Sequence, residues 1–550
     1  MNRWSLASRV LTNVAPVLTH FSIRSCCAAA AASSAASLSP CNKPSSLPKK
    51  ARPAPSVSSK KTKKKPTKKA AVSRVPFISC GKRRPKMRIA IVGCGHGALD
   101  TIYETVQQSE AETGIPVDLV LISGDFQAVR NTSDFRNLAV PPKYRHLGDF
   151  NKYYSGAKKA PYLTLFIGGN HESSAYMWEL YHGGWAAPNI YYLGWANVLR
   201  FGDLRIGGTS GIWNPGNYIK SHYEVAPYDS NQLRSIYHTR MFEVAQLTLY
   251  NKPLDLFLSH EWPRDIALYG DLEALKRKKP FFKEDILSGK LGSPAMQHLL
   301  HHLRPSYWFA AHLHVGFPAL VPHASTPSKK PIDLRHFKHT PQFTHATRTK
   351  PVLDPSTVSL DSARVTPATR PDATHARVTR FLALDKCLAR RHFIQFLDLP
   401  NHTPGPLAYD RDWLAIVRAT TPYLPLGPEI IAPSLPSLDD LAAQVADARK
   451  WLDEHIPDDT ALQVPVGSFE MTGPLHLHGD PPGEWRELAW KPQRNPQTDA
   501  FCAMLGIECK INQDGIPHEE YQRANERLVE RIRGGGGDAR GGGRIGDGGG

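Results

Sequence analysis

A chain of 550 residues is longer than a single hydrophobic core usually organises, so we expect two folded units with tails. The apolar content is 41%, and no stretch approaches the roughly 20 consecutive apolar residues that span a bilayer, which argues against a membrane-embedded protein. Eight cysteines over this length have neither the density nor the pairing of a disulfide scaffold, so a reducing compartment is favoured.

The net charge of +18 comes from the N-terminal leader. Residues 1–86 hold 19 Lys and Arg and no Asp or Glu, which leaves 49 of the 68 basic residues against all 50 acidic ones. The body of the chain is therefore nearly neutral. Bulk charge is no evidence that this body binds a polyanion, so such binding needs a local patch or a metal site.

The leader carries two conflicting targeting signals. Residues 1–25, which contain Arg and Ser but no acid, resemble an organelle transit peptide. The lysine cluster KKTKKKPTKK at 60–69 resembles a nuclear localisation signal. We expect a disordered basic leader over residues 1–86 and a nuclear protein, with organelle targeting as the alternative. Translation from Met87 would remove the leader altogether.

Residue composition and hydrophobic periodicity divide the rest of the chain into segments. Over residues 87–321, short β-rich runs alternate with amphipathic segments, which predicts an α/β domain. Residues 322–377 are rich in Pro, Thr, Ser, His and Arg without periodicity, which predicts a disordered insertion. Residues 378–400 read as two strands, joined by a tight connection, that complete the first domain. Residues 401–533 contain amphipathic helices of a smaller C-terminal domain, and 534–550 form a flexible Gly-rich tail.

Five apolar runs that read as strands are each followed at once by side chains that bind metals. These side chains are Cys94 and His96 after RIAIVG, Asp125 after VDLVLISG, Asn170 and His171 after YLTLFIGG, His260 after LDLFLS, and His312 and His314 after SYWFAA. In α/β sheets, ligands gather outside the carboxyl ends of strands, so these side chains are expected to converge on one crevice. A single histidine after a strand is more often structural, but the ordered set predicts a two-metal site.

Phosphoester hydrolysis explains why this set is needed. Two cations about 3.5–4 Å apart activate a water molecule and stabilise both oxygens of an in-line displacement, and a carboxylate holds the pair together. Asp125 is the only acid of the set and hence the natural bridge. The remaining imidazoles and the Asn170 amide make a mixed N/O set that suits Zn, Fe or Mn. His171 is left over as a general acid, or as a cation that stabilises the phosphorane.

The order GCGH, GDF, GNHE, SHEWP and AHLH resembles the calcineurin-like metallophosphoesterase superfamily, whose pattern is D-x-H, GD, GNH[DE], H and GH-x-H. Cys94 stands where that pattern has its first Asp. Together with GDFQAVRN at 124–131, this substitution resembles the RNA lariat debranching enzyme family. The resemblance covers about residues 87–515, interrupted by the insertion, and includes NPQTDAFCAMLGIECKI at 495–511 in the C-terminal domain.

The resemblance implies an α/β fold, in which a metallophosphoesterase β-sandwich is flanked by helices, with a smaller, mainly helical C-terminal domain. It implies hydrolysis of the 2'-5' phosphodiester at the branch point of excised intron lariats, which linearises introns for turnover. The implied cofactors are two divalent metal ions, Fe²⁺ and Zn²⁺ in the first place, with Mn²⁺ also supporting activity. The implied roles place Cys94, His96, Asp125 and His314 around one ion, Asp125, Asn170, His260 and His312 around the other, and His171 as the general acid for the 2'-oxygen.

The direct binding of metal by Cys94 has an alternative. A thiolate is a softer ligand than the Asp it replaces, and would shift selectivity towards Zn or Fe²⁺ and away from Mg. The alternative is a small buried cysteine that leaves one metal under-coordinated.

The segment between Asp125 and Asn170 is long for a connection and rich in Lys, Arg and Tyr. In the debranching family this region corresponds to a lariat-recognition loop. Cations for phosphates and aromatic rings for unpaired bases are what single-stranded RNA recognition needs. The candidate RNA contacts are Lys143, Tyr144, Arg145, Lys152, Tyr153 and Tyr154. The alternative is an ordinary solvated loop.

Two other functions compete with debranching of a branched intron lariat RNA. One is another metallophosphoesterase, a phosphomonoesterase or nucleotide phosphatase. The residues after Asp125 are FQAVRN, which lack the GDxxDRG signature of Ser/Thr protein phosphatases. The other is a non-catalytic RNA-binding scaffold, against which seven of the eight expected positions keep the family residue. The protein partners remain open, and no membrane partner is expected.

Overall fold

The structure is a computed structural model that describes residues 87–324, 334, 377–427, 435–476 and 491–520. It also describes positions 522, 523, 526, 527 and 530. The predicted leader, almost all of the predicted insertion and the predicted Gly-rich tail lie outside the described residues. Within these ranges, no helix combines the length and the apolar character that crossing a bilayer requires.

The described strands form two mixed sheets. In chain order the strands are β1 (Met87–Val92), β2 (Leu119–Ile122), β3 (Thr164–Phe166), β4 (Gly184–Ala187), β5 (Ile190–Tyr192), β6 (Ala196–Phe201), β7 (Leu204–Thr209), β8 (Leu256–Ser259), β9 (Tyr307–Ala310), β10 (Phe317–Pro322), β11 (Val378–Ala383), β12 (Ile394–Leu399) and β13 (Leu407–Tyr409). The first sheet has the order β12-β1-β2-β3-β5-β4, and the second has the order β10-β11-β9-β8-β7-β6-β13.

Parallel strands occupy the middle of both sheets. In the first sheet β1, β2, β3 and β5 run parallel, and in the second sheet β7, β8, β9 and β11 do so. Antiparallel strands lie towards the edges. The runs MRIAIV and LVLI are buried at every position, as expected for parallel strands covered on both faces. The carboxyl ends of the parallel strands of each sheet therefore open at one edge.

The core between the two sheets follows from the alternation of side chains along the strands. Ile89 and Ile91 of β1 pack in one cluster with Leu258 and Phe309 of the second sheet. The intervening β1 residues face the opposite cluster, which contains the helix residue Leu99. Because successive side chains of a strand point to opposite faces, one face of β1 packs inside the sandwich and the other packs against a helix. The predicted β-sandwich flanked by helices is confirmed.

The described helices cover the sheets. They are α1 (Leu99–Thr113), α2 (Phe150–Tyr154), α3 (Ser174–Glu179), α4 (Gln232–Ser235), α5 (Met241–Leu249), α6 (Leu272–Lys278), α7 (Phe282–Leu287), α8 (Pro294–Leu303), α9 (Arg411–Thr420), α10 (Leu438–His455) and α11 (Pro496–Met504). Short 3₁₀ segments lie at Thr132–Asn137, Pro142–Tyr144, Ile266–Tyr269, Thr421–Tyr423 and Asp459–Leu462. Side-chain caps mark several helix starts; Ser437, for example, accepts a hydrogen bond from the backbone N–H of Asp440 at the start of α10.

The two strands expected over residues 378–400 belong to different sheets. Strand β11 lies between β10 and β9 in the second sheet, whereas β12 pairs antiparallel with β1 at the edge of the first. Residues 384–393 connect them, which is longer than the tight connection expected from the sequence. The strand β13 also pairs with β6, so residues just beyond 400 still belong to the sandwich.

The C-terminal region packs directly against the sandwich. The α9 residues Trp413 and Ile416 are buried in one cluster with residues of α5 and α8. At the other edge, the side-chain amide of Gln497 accepts a hydrogen bond from the N–H of Trp185 over 2.8 Å and donates one to its carbonyl over 3.0 Å. Gln497 therefore satisfies backbone groups of the edge strand β4 that another strand would otherwise pair.

Candidate metal centre

The carboxyl ends of five parallel strands deliver the side chains singled out in the sequence. Four of these residues have left-handed backbone conformations, with φ of 46° at His96, 45° at Asp125, 58° at His312 and 50° at His314. Such φ values are uncommon for residues other than Gly and concentrate at functional sites. These left-handed residues follow the strands β1, β2 and β9.

Four of the side chains form a first cluster. The ligand atoms of Cys94, His96, Asp125 and His314 all lie within 4.8 Å of one another. The Nε2 atoms of His96 and His314 are 3.3 Å apart, and the His96 Nε2 lies 3.8 Å from Asp125 Oδ2. The backbone N–H of His312 donates a hydrogen bond to the Cys94 Sγ over 3.3 Å. Sulfur, nitrogen and oxygen donors thus face a common centre, as a divalent ion requires.

The remaining ligand candidates form a second cluster on the other side of Asp125. The Nε2 of His260 lies 3.3 Å from Asp125 Oδ1, and the rings of His260 and His312 are 5.0 Å apart. Three buried atoms of this set have no hydrogen-bond partner among the residues that the structure describes: Asn170 Oδ1, His260 Nε2 and His312 Nδ1. Buried polar atoms are nearly always paired, so these three fit a second cation.

Two glycines and one carbonyl fix the orientation of His260. Its Nδ1–H donates a hydrogen bond to the Ser123 carbonyl over 2.8 Å, which directs the lone pair of Nε2 towards the centre. A Cβ at Gly124, where φ is 102°, would lie 2.2 Å from His260 Nδ1. A Cβ at Gly169 would lie 2.3 Å from Asp125 Oδ1. Both positions therefore require glycine.

The protonation states suit metal ligands. Burial lowers the pKa of His96 to about 4, of His312 to about 3 and of His314 to about 2, so the three rings are neutral at pH 7. Burial opposes ionisation of Asp125 as well, but the neighbouring imidazoles, His260 first, hold the pKa of that carboxyl well below its usual range. Neutral imidazoles and an ionised carboxylate are the forms that bind metals.

The pKa of the Cys94 thiol, unlike those of the histidines and Asp125, does not favour the form that binds metal. Burial, and secondarily the charge of Asp125, raise its pKa well above that of an ordinary thiol. A protonated thiol is a poor ligand, so the thiolate needs a nearby cation to form.

His171 lies at the rim of both clusters. Its backbone N–H donates a hydrogen bond to Asp125 Oδ1 over 3.0 Å, and its half-buried ring lies 5.5 Å from that of His96. The imidazole therefore stands beside the clusters while its peptide group helps to hold their shared carboxylate.

Glu172 was missed by the sequence reasoning. Its buried carboxylate accepts hydrogen bonds from the backbone N–H groups of Phe126, Gln127 and Gly169 over 2.7, 2.8 and 3.1 Å. These bonds tie the loop after β2 to the loop after β3. The available signal was an acid directly after Asn170 and His171, but a sequence does not distinguish an anchor of backbone N–H groups from a metal ligand.

Four of the six candidate RNA contacts are at least partly exposed. Lys143 and Tyr144 are exposed, Arg145 is half-buried, and the Lys143 ammonium lies 4.8 Å from the centroid of the Tyr144 ring. Tyr144 exposes 43% of its surface. The Nε of Arg145 donates to the carbonyl of Val140 over 2.7 Å, which fixes the loop backbone. Lys152 is half-exposed but already forms ion pairs with Asp149 and Asp100.

The expectation that Tyr153 and Tyr154 contact RNA is wrong. Both side chains are buried, with the Tyr153 hydroxyl donating to Asp100 over 2.7 Å and the Tyr154 hydroxyl donating to the Gly473 carbonyl over 2.9 Å. The cause is the helix α2, which places Phe150 and these two tyrosines on one face at spacings of three and four residues. That face packs into the core instead of facing solvent.

Comparison with known proteins agrees with this geometry. The family model for the calcineurin-like phosphoesterase matches residues 87–316, which supply every candidate ligand. The family model for the C-terminal domain of the lariat debranching enzyme matches residues 376–510. The second match begins just before β11, so the family's C-terminal unit includes three strands of the sandwich, β11, β12 and β13.

Similar proteins cover most of the chain. It is 42% identical to the human lariat debranching enzyme over 428 residues. This alignment covers 76% of this chain and 69% of the human protein. It is 39% identical to the lariat debranching enzyme of Arabidopsis thaliana over 79% of this chain and 89% of that protein. It is 38% identical to the lariat debranching enzyme of Schizosaccharomyces pombe over 77% of this chain and 96% of that protein. The chain therefore belongs to the lariat debranching enzyme family of calcineurin-like metallophosphoesterases.

Proposed function

We propose that this protein hydrolyses the 2'-5' phosphodiester at the branch point of excised intron lariats, and so linearises introns for turnover. Its substrate is branched RNA, and it is a metal-dependent phosphodiesterase. The observation that carries the proposal is the pair of ligand clusters on either side of Asp125, in a chain of the lariat debranching family. A phosphodiester, whose negative charge is shared by two non-bridging oxygens, is the kind of group that two adjacent cations bind.

In this proposal Asp125 is shared between two divalent ions. Its Oδ2 faces His96 of the first cluster, and its Oδ1 faces His260 of the second, so each oxygen is directed at a different set. One ion would be held by Cys94, His96, Asp125 and His314, and the other by Asp125, Asn170, His260 and His312. When bound, the two cations activate water and stabilise the charge that develops on the phosphate.

His171 is the proposed general acid for the departing 2'-oxygen. Its ring lies beside both clusters without belonging to either, and its backbone hydrogen bond to Asp125 fixes its distance from the shared carboxylate. A proton delivered to the 2'-oxygen prevents the build-up of an alkoxide as the bond to phosphorus breaks.

The proposed metals are Fe²⁺ and Zn²⁺, with Mn²⁺ also supporting activity. The support is the donor set, in which one thiol, four imidazoles and a single carboxylate favour borderline ions over the hard Mg²⁺. The position of the Cys94 Sγ among three other ligand atoms favours direct coordination over an inert buried cysteine.

The proposed RNA contacts outside the metal centre are Lys143, Tyr144 and Arg145. An exposed aromatic ring beside a lysine suits an unpaired base and its phosphate. The loop that carries them joins β2 to β3, and both of these strands end at the metal centre.

The nucleus is the proposed location, supported by the lysine cluster at 60–69 and by a substrate that arises from splicing. Microscopy of the full chain and of a variant in which these lysines are replaced by glutamine tests this. Retention of the variant in the nucleus, or an organellar signal, would contradict the assignment.

The function is tested with the full chain, loaded with Mn²⁺ or with Fe²⁺ and Zn²⁺, on a branched RNA with both a 2'-5' and a 3'-5' linkage at one nucleotide. A linear 3'-5' RNA and an aryl phosphate are run alongside. Selective opening of the 2'-5' bond supports the proposal. Turnover of the aryl phosphate alone would indicate a phosphomonoesterase, and tight RNA binding without turnover would indicate a scaffold.

A further inference from the structure

A sixth parallel strand ends beside the metal centre. Strand β11 runs parallel to β9, with Ala383 paired to Ala310, so both strands end at the same edge of the second sheet. The loop that follows β11 reaches across to the first sheet, where Lys386 and Cys94 form a parallel β-bridge. The N–H of Cys387 donates a hydrogen bond to the Cys94 carbonyl over 3.0 Å. The loop at 384–393 therefore lies directly alongside the proposed ligand Cys94.

Lys386 is a half-buried cation next to the proposed ligands. Residues paired in a β-bridge direct their side chains to the same side, so the Lys386 stem lies on the side of the Cys94 thiol. Its charge therefore lies beside the first cluster, although an ammonium group cannot act as a metal ligand.

The ammonium of Lys386 makes no hydrogen bond or ion pair with any residue that the structure describes. The adjacent carboxylate of Asp385 is used elsewhere, because it lies 3.2 Å from Nη1 of Arg391 and accepts from the N–H of Lys386 itself. A half-buried cation without an anionic partner is costly. The ammonium is therefore available to an anion that the described residues do not supply.

Further cations extend from this position to the surface. Burial lowers the pKa of Lys279, and the charges of Arg391 and Lys386 lower it further against the opposing effect of Asp385. The Lys279 ammonium lies 5.7 Å from the ring centroid of Phe281, which exposes 54% of its surface. Arg391 is thus paired with Asp385, and Lys279 lies within reach of the charges of Arg391 and Lys386 and beside an exposed aromatic ring.

We propose that Lys279, Phe281, Lys386 and Arg391, here called the basic cluster, bind the sugar-phosphate backbone of an RNA strand at the metal centre. Lys386 contacts the phosphate nearest to the scissile bond. Lys279 and Arg391 contact the phosphates that follow, and an unpaired base stacks on Phe281. Cations that follow a backbone, with an aromatic ring between them, are the usual elements of single-strand RNA binding.

This inference rests on the proposed function, and it adds a second RNA surface. The first is the loop that carries Lys143 and Tyr144, between β2 and β3. The basic cluster lies on elements that follow β8 and β11, in the other sheet. A branched substrate has three strands meeting at one nucleotide, so a second surface for a second strand suits its shape.

The test measures binding of a branched RNA with a non-hydrolysable 2'-5' linkage to the full, metal-loaded chain as a function of salt. The variants are Lys386→Ala, Lys386→Glu and Phe281→Ala. The matched control is Lys450→Ala, which removes a 75% exposed lysine paired with Asp447 on α10. Metal content is measured for each protein, which separates an effect on the metal centre from an effect on RNA binding.

We expect Lys386→Ala to weaken RNA binding about tenfold at low salt and to reduce the slope of log affinity against log salt by about 0.7, the value for one contact to a single strand. Lys386→Glu should weaken binding further, whereas Lys450→Ala should bind as the wild type does, and the metal content of Lys386→Ala should match that of the wild type. Unchanged affinity and slope in Lys386→Ala would overturn the inference, and so would a parallel loss of metal. If the wild-type chain binds the RNA through Lys386 but leaves a cleavable 2'-5' bond intact, the inference stands and the proposed function fails.

Discussion

The backbone N–H of His171 donates a hydrogen bond to Oδ1 of Asp125, over 3.0 Å. Because the peptide group makes this bond, the imidazole is not needed to hold the shared carboxylate. The position and the side chain of His171 therefore have separable roles: the backbone supports the metal centre, and the ring is free to deliver a proton.

The substitution His171→Ala should abolish most turnover while metal content and RNA binding stay close to wild type. A general acid contributes about 10²–10⁴-fold in rate, so single-turnover cleavage of a branched RNA should fall by that factor. The control is His301→Ala, which removes an exposed histidine of α8. Full activity in His171→Ala would contradict the acid role, and a loss of metal would show that the ring supports the centre after all.

The substitution Glu172→Gln should loosen the two loops that carry Asp125 and Asn170. The carboxylate accepts three backbone N–H groups, and a glutamine amide would turn an N–H group towards one of them, at Gln127. Leaving a buried donor unsatisfied costs about 1–3 kcal/mol, so the free energy of unfolding should fall by that amount and metal should bind more weakly. Glu273→Gln, at an exposed pair on α6, is the control. Wild-type stability and metal affinity in Glu172→Gln would refute this role.

Arg130 joins the catalytic unit to the C-terminal region. Its buried guanidinium bonds to Asp134, to Glu179 over 3.0 Å and to Thr472 over 3.2 Å. Arg130→Ala should lower the free energy of unfolding by about 3–5 kcal/mol, because it leaves two buried carboxylates without a cation. Arg449→Ala, which breaks a partly exposed pair with Asp412, should cost at most about 1 kcal/mol. Similar losses from both variants in urea unfolding would contradict this account.

Part of the convergence of the ligands was predictable because it depends on strand direction. Once RIAIVG, VDLVLISG and the later runs are read as parallel strands, the residues that follow the strands of one sheet must lie along one edge of that sheet. The structure adds what the runs do not encode. Strands β11 and β12 look alike in sequence, yet they join different sheets, because sheet choice depends on partners far away in the chain.

Tyr153 and Tyr154 show that the same limit applies to a single helix, whose orientation depends on its packing partners. The composition of the loop after β2 indicated which residue types were present but not which way they faced. A five-residue helix over Phe150–Tyr154 was enough to turn Tyr153 and Tyr154 inward. The sequence did not single out Lys386, because it lies a few residues after its strand and a lysine is not a typical metal ligand.

Cys94 distinguishes this centre from the pattern of its superfamily, in which an Asp stands at this position. The substitution Cys94→Asp should keep two ions in the site but shift selectivity from Zn²⁺ and Fe²⁺ towards Mn²⁺ and Mg²⁺, because it replaces a soft donor by a hard one. Competition between Zn²⁺ and Mn²⁺ during loading, followed by metal analysis, measures the shift. Cys387→Ser is the control, a buried cysteine outside the cluster. Unaltered selectivity in Cys94→Asp would indicate that the thiol does not coordinate.

His182 gives the fold a predictable sensitivity to acid. It is buried, stacks on Phe501 of α11 at 5.2 Å between ring centroids, and burial lowers its pKa to about 4. The unfolded chain binds this proton near pH 6.5, so between pH 6.5 and about 4 the unfolded state holds more protons than the folded one. The free energy of unfolding should therefore decrease as the pH falls through this window, by up to about 3 kcal/mol from this residue.

His182→Phe keeps the stacked ring but has no proton to bind, so its loss of stability between pH 7 and pH 4 should be smaller than that of wild type by up to the same amount, about 3 kcal/mol. Urea unfolding at a series of pH values measures the difference. His146→Phe, at an exposed position, should keep the wild-type profile. If His182→Phe also follows the wild-type profile, the acid sensitivity arises from other buried groups, and the packing of α11 on this ring is not its cause.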